Sequence, residues 1–388
     1  MFRVSRFMEA LRDGGPVPPA PRRTGGPVVI WNLVRRCNLN CKHCYSTSAD
    51  TDFKGELSTA EAIGVLEQLK AARVPALILS GGEPLLRPDL YEIAAHAKRL
   101  GFHLSLSSNG TLLDTRHAAR LLVAGFDYVG VSLDGLEATH DRFRRCPGAF
   151  RQALDGLRVA RQCGLRVGVR MTLTEANADE LPDVVALTEA EGIDKFYLSH
   201  FNYAGRGSSH RGDDAHHAHT RVAVDWLFDH VWERAQEGRA GDFVTGNNDA
   251  DGVSLLHWIA RRQPGRLADM RQRLVNWGGN ATGVGVANID NLGNVHPDTM
   301  WWHVSIGNVR ERAFGDIWAD RSHPLMRGLK SSPRPLEGRC ATCAHREICN
   351  GNTRVRAYAV SGNPWAEDPG CYLSDEEIAD PLGREVAA

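Results

Sequence analysis

The chain has 388 residues, 42% hydrophobic and 24% charged, and its 46 Lys and Arg against 47 Asp and Glu leave a formal charge of −1. A globular apolar fraction with balanced charge excludes disorder as the main state, and the lack of a basic excess excludes nucleic acid as a partner by bulk electrostatics. No run of about 18 apolar residues exists and charges interrupt residues 1–9, which excludes a transmembrane helix or a signal-peptide core and gives the cytoplasm as the expected location.

In chain order, residues 1–26 read as an N-terminal lead-in, a short helix over 2–12 followed by a Pro/Gly-rich stretch. From 27 to 205 apolar β-rich runs alternate with helical patterns. Strands are predicted at 28–34, 76–80, 103–107, 128–133, 166–173 and 195–199, and helices at 59–72, 88–100, 115–124, 149–163 and 178–191. Ser58 and Glu61 make the S-x-x-E capping box of a helix start, while Gly101, Gly125, Gly164 and Gly192 stand where helices should stop. Strands separated by helices imply a parallel sheet, because each parallel return needs a crossover. Residues 206–282 read as a helical linker near the substrate: a Gly/Ser-rich loop at 208–219 with His210, His216, His217 and His219, then helices over 220–236 and 253–277. The segment 283–388 opens with a hairpin, 284–290 and 294–298, and continues with a helix over 315–327.

Cytoplasmic thiols stay reduced, so nine cysteines need a reason other than disulfides. They divide into Cys37, Cys41 and Cys44, then Cys340, Cys343, Cys349 and Cys371, with Cys146 and Cys163 apart. The two lone ones read as small buried hydrophobes. Cys37-x3-Cys41-x2-Cys44 followed by Tyr45 places three thiolates so close that they can hold three corners of a metal cluster, leaving one iron without a protein ligand. A structural zinc ion would want a fourth ligand, and His43, wedged between two of the cysteines, is badly placed to supply it.

Three further motifs begin at strand ends: Gly81-Gly82-Glu83-Pro84, Ser107-Ser108-Asn109-Gly110-Thr111 and Val131-Ser132-Leu133-Asp134-Gly135. Together with the cysteine run they resemble the radical S-adenosylmethionine (radical SAM) family. The resemblance implies an α/β fold, a six-stranded partial (β/α)6 barrel with its chemistry at the C-terminal strand ends. It also implies a [4Fe-4S] cluster on Cys37, Cys41 and Cys44 whose open iron chelates SAM. In that reading Gly81, Gly82 and Glu83 approach the methionine amine, and Asn109 and Ser132 lie near ribose or carboxylate. Arg144 meets the carboxylate, with Arg142, Arg145 and Arg170 as competitors, and Tyr45 contributes backbone and packing.

Cys340-x2-Cys343-x5-Cys349-x21-Cys371 supplies four thiolates, a set that suits zinc or iron–sulfur about equally on spacing. The spacing resembles the C-terminal SPASM-type extension of many radical SAM enzymes, which implies a second, auxiliary [4Fe-4S] cluster. Asp298 stands where the two-cluster version of that extension places a cysteine, so one auxiliary cluster is expected. The wording from His296 to Arg310 and from Cys349 to Tyr358 is similar to the radical SAM enzymes of heme d1 biosynthesis, relatives of the heme decarboxylases. This implies an iron tetrapyrrole substrate, 12,18-didecarboxysiroheme, loss of its propionate side chains, and an external low-potential electron donor.

For such a substrate Trp301, Trp302 and His303 offer flat faces, and Arg354 and Arg356 could fork onto propionates. The tryptophans suit a core equally well. The four histidines of 208–219 read either as a solvated loop or as an axial iron ligand or lid. Rival functions are a tetrapyrrole decarboxylase, a peptide-modifying SPASM enzyme, a zinc scaffold and a heme carrier.

Overall fold

The computed structural model describes residues 1–18, 25–239 and 241–382. Ten strands form one sheet: β1 (Val28–Asn32), β2 (Ala76–Ser80), β3 (His103–Ser108), β4 (Tyr128–Ser132), β5 (Val167–Leu173), β6 (Lys195–His200), β7 (Asp242–Gly246), β8 (Val286–Ile289), β9 (Asn294–His296) and β10 (Gly307–Asn308). Their order is β10-β9-β8-β1-β2-β3-β4-β5-β6-β7. From β8 through β7 every pairing is parallel, and only β9 and β10 run antiparallel at one edge. The six strands read from the sequence are therefore present in order, and the sheet extends past them at both ends.

Burial explains the strand patterns. Trp31, Leu79, Leu104, Val129, Val169 and Phe196 are buried in one core with the apolar faces of the crossover helices, and along β1, β2, β3 and β6 they alternate with less buried residues of the opposite face. The capping box is formed as read: Ser58 Oγ accepts from Glu61 N at 3.3 Å, and Glu61 Oε2 accepts from Ser58 N at 2.8 Å. Gly125 closes the helix Thr115–Ala124 with φ 85°, a left-handed conformation that a Cβ would oppose.

Four expectations change. Residues 2–12 are no mere lead-in: the helix Val4–Asp13 buries Val4, Met8 and Leu11 in the core, and Phe2 bridges Thr245 on β7 through two backbone hydrogen bonds. Residues 19–24 of that stretch lie outside the described residues. The segment 206–282, read as helical, contributes β7, which is buried continuously from Phe243 to Gly246 and so lacks the alternation of a half-buried strand. The helix read over 253–277 is two, Ala250–Arg262 and Leu267–Trp277, parted at Pro264, whose ring and missing N–H interrupt a helix. The helix read over 315–327 is likewise two, Phe314–Ala319 and Pro324–Leu329. Among the described residues no helix is long and apolar enough to cross a membrane.

Candidate active site

Parallel strands bring their C-terminal ends to one edge, and the sequence motifs meet there. A cavity of about 820 Å³ opens at that edge, lined by Cys37, Cys41, Cys44, Tyr45, Gly81, Gly82, Asn109, Ser132 and Arg144. Arg170, Tyr197, His200 and Asn202 extend its wall across β5 and β6, and Arg3 and Arg6 reach it from the N-terminal segment. Of the competing arginines, Arg142 and Arg145 stay outside the lining, and Arg145 donates instead to His210 at 3.1 Å.

The cysteine loop is fixed from several sides. Burial pushes the Cys37 thiol up to about 12 and raises that of Cys41 as well. Arg144 Nη1 donates to Cys41 Sγ at 3.5 Å, Asn109 Nδ2 approaches Cys37 Sγ at 3.8 Å, and Leu39 N donates to Cys37 Sγ at 3.4 Å. Arg144 is itself aimed by Asp134, which is fully buried and takes Nε and Nη2 at 2.7 and 2.5 Å. His43 lies flat on Phe143, ring centroids 4.5 Å apart, and burial brings its pKa down to about 4. Asn32 donates to the Tyr45 hydroxyl at 2.8 Å.

Three expected roles look different in place. Gly81 and Gly82 are dictated by the cysteine loop: a Cβ on either would collide with the carbonyl oxygen of Val34 or Arg36, and Gly82 N donates to Val34 O at 2.6 Å. Glu83 is not among the cavity-lining residues. It is fully buried beneath them, accepting from Leu85 N, Ser108 Oγ and Asn109 N at 3.1, 2.9 and 2.8 Å, and burial raises its pKa to about 7. Asn109 spends its amide within the protein, donating to Asn38 Oδ1 at 2.9 Å and accepting from Thr111 N.

The four late cysteines line a second, smaller cavity of about 290 Å³ with Arg339, Arg346 and Asp368. Arg339 Nη1 donates to Cys371 Sγ at 3.5 Å, His345 N to Cys343 Sγ at 3.4 Å, and Arg354 Nη2 approaches Cys340 Sγ at 3.8 Å. Burial raises the Cys343 and Cys349 thiols, and that of Cys371 to about 11. Among the described residues no three His, Cys, Asp or Glu side chains converge as ligands of a single ion. The donor chemistry of both sets fits an iron–sulfur cluster: thiols grouped around a cavity, with N–H groups directed at sulfur, and protons to be released when metal binds.

The structure corrects the reading of Arg354 and Arg356 as open forks for the substrate. Both are 1% exposed. Arg356 holds Asp368 through Nε and Nη2 at 2.9 Å each and donates to Phe201 O and Asn247 O, while Arg354 donates to Pro364 O and Ala366 O. Trp301 is buried among Leu325, Met326, Leu329 and Val355. His303 stacks on Tyr358 at 5.4 Å. Trp302 stacks on His296 and meets the Tyr45 ring edge-on at 6.0 Å, which keeps it beside the cysteine loop. In the histidine segment His219 pairs with Glu175 at 2.8 Å and His217 meets Pro369 O at 2.8 Å.

Sequence reasoning missed Arg206, whose Nε and Nη1 hold Cys41 O and Ser48 O at 2.8 Å each. Gly205 beside it has no room for a Cβ against the carbonyls of Cys44 and Tyr45. A glycine next to an arginine in a polar loop carries no signal of that contact.

Comparison with known proteins places these features. Residues 31–188 match the family model of the radical SAM superfamily. The pre-heme d1 synthase of Dinoroseobacter shibae is 51% identical over 380 residues, 97% of this chain and 93% of that protein. The Fe-coproporphyrin III synthase of Methanosarcina barkeri is 43% identical over 91% of this chain and 89% of that one. Among solved structures, SuiB of Streptococcus suis bound to its precursor peptide SuiA superposes with a TM-score of 0.71 at 16% identity, covering 90% of this chain and 76% of that one; at that identity the likeness concerns the fold.

Proposed function

The chain belongs to the radical SAM superfamily, and from that premise we propose that it is an enzyme of heme d1 biosynthesis that removes propionate side chains from 12,18-didecarboxysiroheme. One observation carries the reading: a single cavity of about 820 Å³, toward the upper end for ligand sites, runs from the three-cysteine loop to the N-terminal helix in a chain 51% identical to pre-heme d1 synthase.

Bound at Cys37, Cys41 and Cys44, a [4Fe-4S] cluster would supply the electron that splits SAM into methionine and the 5′-deoxyadenosyl radical, chemistry that no side chain provides. The chain's own residues orient the reactants. Arg144, held by Asp134, and Ser132 face the SAM end, and Arg3 and Arg6 face the far end, where carboxylates of a tetrapyrrole would arrive. In this proposal residues 27–205 are the radical SAM core with its partial barrel and 283–388 the SPASM-like extension. Cys340, Cys343, Cys349 and Cys371 would hold one auxiliary [4Fe-4S] cluster, which would supply electron transfer to or from the substrate, and an external low-potential donor would reduce the enzyme in the cytoplasm.

The test is anaerobic incubation of the reconstituted enzyme with 12,18-didecarboxysiroheme, SAM and reductant, read by mass spectrometry. Loss of whole propionates supports the reading. Loss of carbon dioxide alone makes the protein a decarboxylase, and no change in the tetrapyrrole alongside 5′-deoxyadenosine formation overturns the substrate.

A further inference from the structure

Three buried side chains from three separate stretches meet beside the large cavity. His200 ends β6 and is 4% exposed, Asp251 lies in the first turn of the helix Ala250–Arg262 and is fully buried, and Tyr372 directly follows Cys371. His200 Nε2 stands 3.0 Å from Asp251 Oδ2, and the Tyr372 hydroxyl donates to Asp251 Oδ1 at 2.8 Å. The Tyr372 and His200 rings stack at 6.3 Å with 12° between planes.

This arrangement decides the tautomer. A carboxylate that already accepts from tyrosine calls for a proton on His200 Nε2, which leaves Nδ1 with the lone pair. Among the described residues Nδ1 has no hydrogen-bond partner, although every other polar atom of the trio is engaged. His200 lines the 820 Å³ cavity and also the adjoining one of about 380 Å³. Two residues on, Asn202 lines the same large cavity, 7% exposed, with neither its amide nitrogen nor its amide oxygen partnered. Unused donors and acceptors at a buried cavity wall are costly unless a ligand completes them.

Histidines that ligate metals characteristically give their other ring nitrogen to a carboxylate, which fixes the ring and raises its basicity. We propose that His200 Nδ1 is the axial ligand to the iron of the tetrapyrrole substrate, with Asp251 and Tyr372 as positioning residues. The inference rests on the iron-tetrapyrrole reading above. It moves the ligand from the exposed histidines of 208–219 to a rigid strand end, where imidazole orientation costs little on binding. It also places the iron's ligand on a hydrogen-bonded chain that ends one residue from Cys371.

The test uses anaerobic holoenzyme loaded with ferric 12,18-didecarboxysiroheme, examined by electron paramagnetic resonance and magnetic circular dichroism. The wild type should show nitrogen ligation with hyperfine coupling to isotopically labelled histidine. His200→Ala should lose that signature and regain it with added imidazole, while keeping its iron content. Asp251→Asn should keep the ligand and bind the tetrapyrrole about 10- to 100-fold more weakly. Joint replacement of His210, His216, His217 and His219 by Ala should leave the spectrum unchanged. Nitrogen ligation that survives in His200→Ala, or a wild type without histidine coupling, overturns the axial role alone. A wild type that cleaves SAM and binds no iron tetrapyrrole overturns the functional reading, and this inference with it.

Discussion

The two cysteine sets are built differently, and the contrast separates their work. The first offers three thiols in the lining of a cavity of about 820 Å³; Arg144, matched by buried Asp134, reaches a sulfur, and Arg206 holds the loop's carbonyls. The second offers four thiols around about 290 Å³, with Arg339 and Arg354 both reaching sulfur. Three thiolates would leave one metal position of a cluster for an outside ligand. Four thiolates would close a cluster site, toward which Arg339, itself paired with Asp375 at 2.8 Å, and Arg354 direct N–H groups. The proposed division of labour, chemistry on a ligand at the first set and electron transfer at the second, rests on this difference in number and enclosure.

Removing one thiol from each set breaks that contrast most directly. Cys41→Ala should abolish 5′-deoxyadenosine formation, the largest effect expected, measured by chromatography after anaerobic turnover. Cys349→Ala should leave 5′-deoxyadenosine formation intact, abolish the tetrapyrrole product and lower iron from about eight to about four per chain. Product from Cys349→Ala would remove the electron-carrying role of the second set.

The buried ion pairs give a smaller, matched comparison. Asp134 serves Arg144 beside the first set, and Asp368 serves Arg356 beneath the second, each at 8% side-chain exposure or less. Asp134→Asn or Asp368→Asn strands a buried guanidinium, and each should cost about 3–5 kcal/mol of stability in denaturant titration. Their cluster effects should differ in place: Asp134→Asn weakens SAM binding, and Asp368→Asn weakens iron retention at the second set. The same outcome in both variants would mean that the two pairs serve folding alone.

Legibility in the sequence followed the range of the interactions. The 3 + 4 + 2 division of cysteines, the motifs at strand ends and the order β1 to β6 are local patterns, and spacing reveals them. The pairing of β8 with β1, the short β7 and the docking of Phe2 on Thr245 are contacts between distant residues with no local signature. Arg354 and Arg356 show the same limit at side-chain scale. An arginine reads as a free fork until the fold reveals Asp368 and the carbonyls of Phe201 and Asn247 around it. Glu83 and Asn109 were readable as important, but their work, pinning the cavity floor and the cysteine loop, depends on distances that spacing does not encode.

The N-terminal helix sharpens the comparison last, because it belongs to neither cysteine set yet borders the first one's cavity. Arg3 is engaged with Asp242 at 3.8 Å, whereas Arg6 lines the cavity, is exposed, and makes no side-chain hydrogen bond among the described residues. A rim guanidinium of this kind contributes little to folding and binds a carboxylate through a solvent-screened field, on the order of 0.2–1 kcal/mol. Arg6→Glu replaces attraction by repulsion, so KM for the tetrapyrrole should rise about three- to tenfold while kcat and 5′-deoxyadenosine formation without substrate stay unchanged. Added salt should narrow the gap between variant and wild type. An unchanged KM would place the substrate's carboxylates deeper, at Arg170 across the cavity, and leave the helix as a wall rather than a receiving surface.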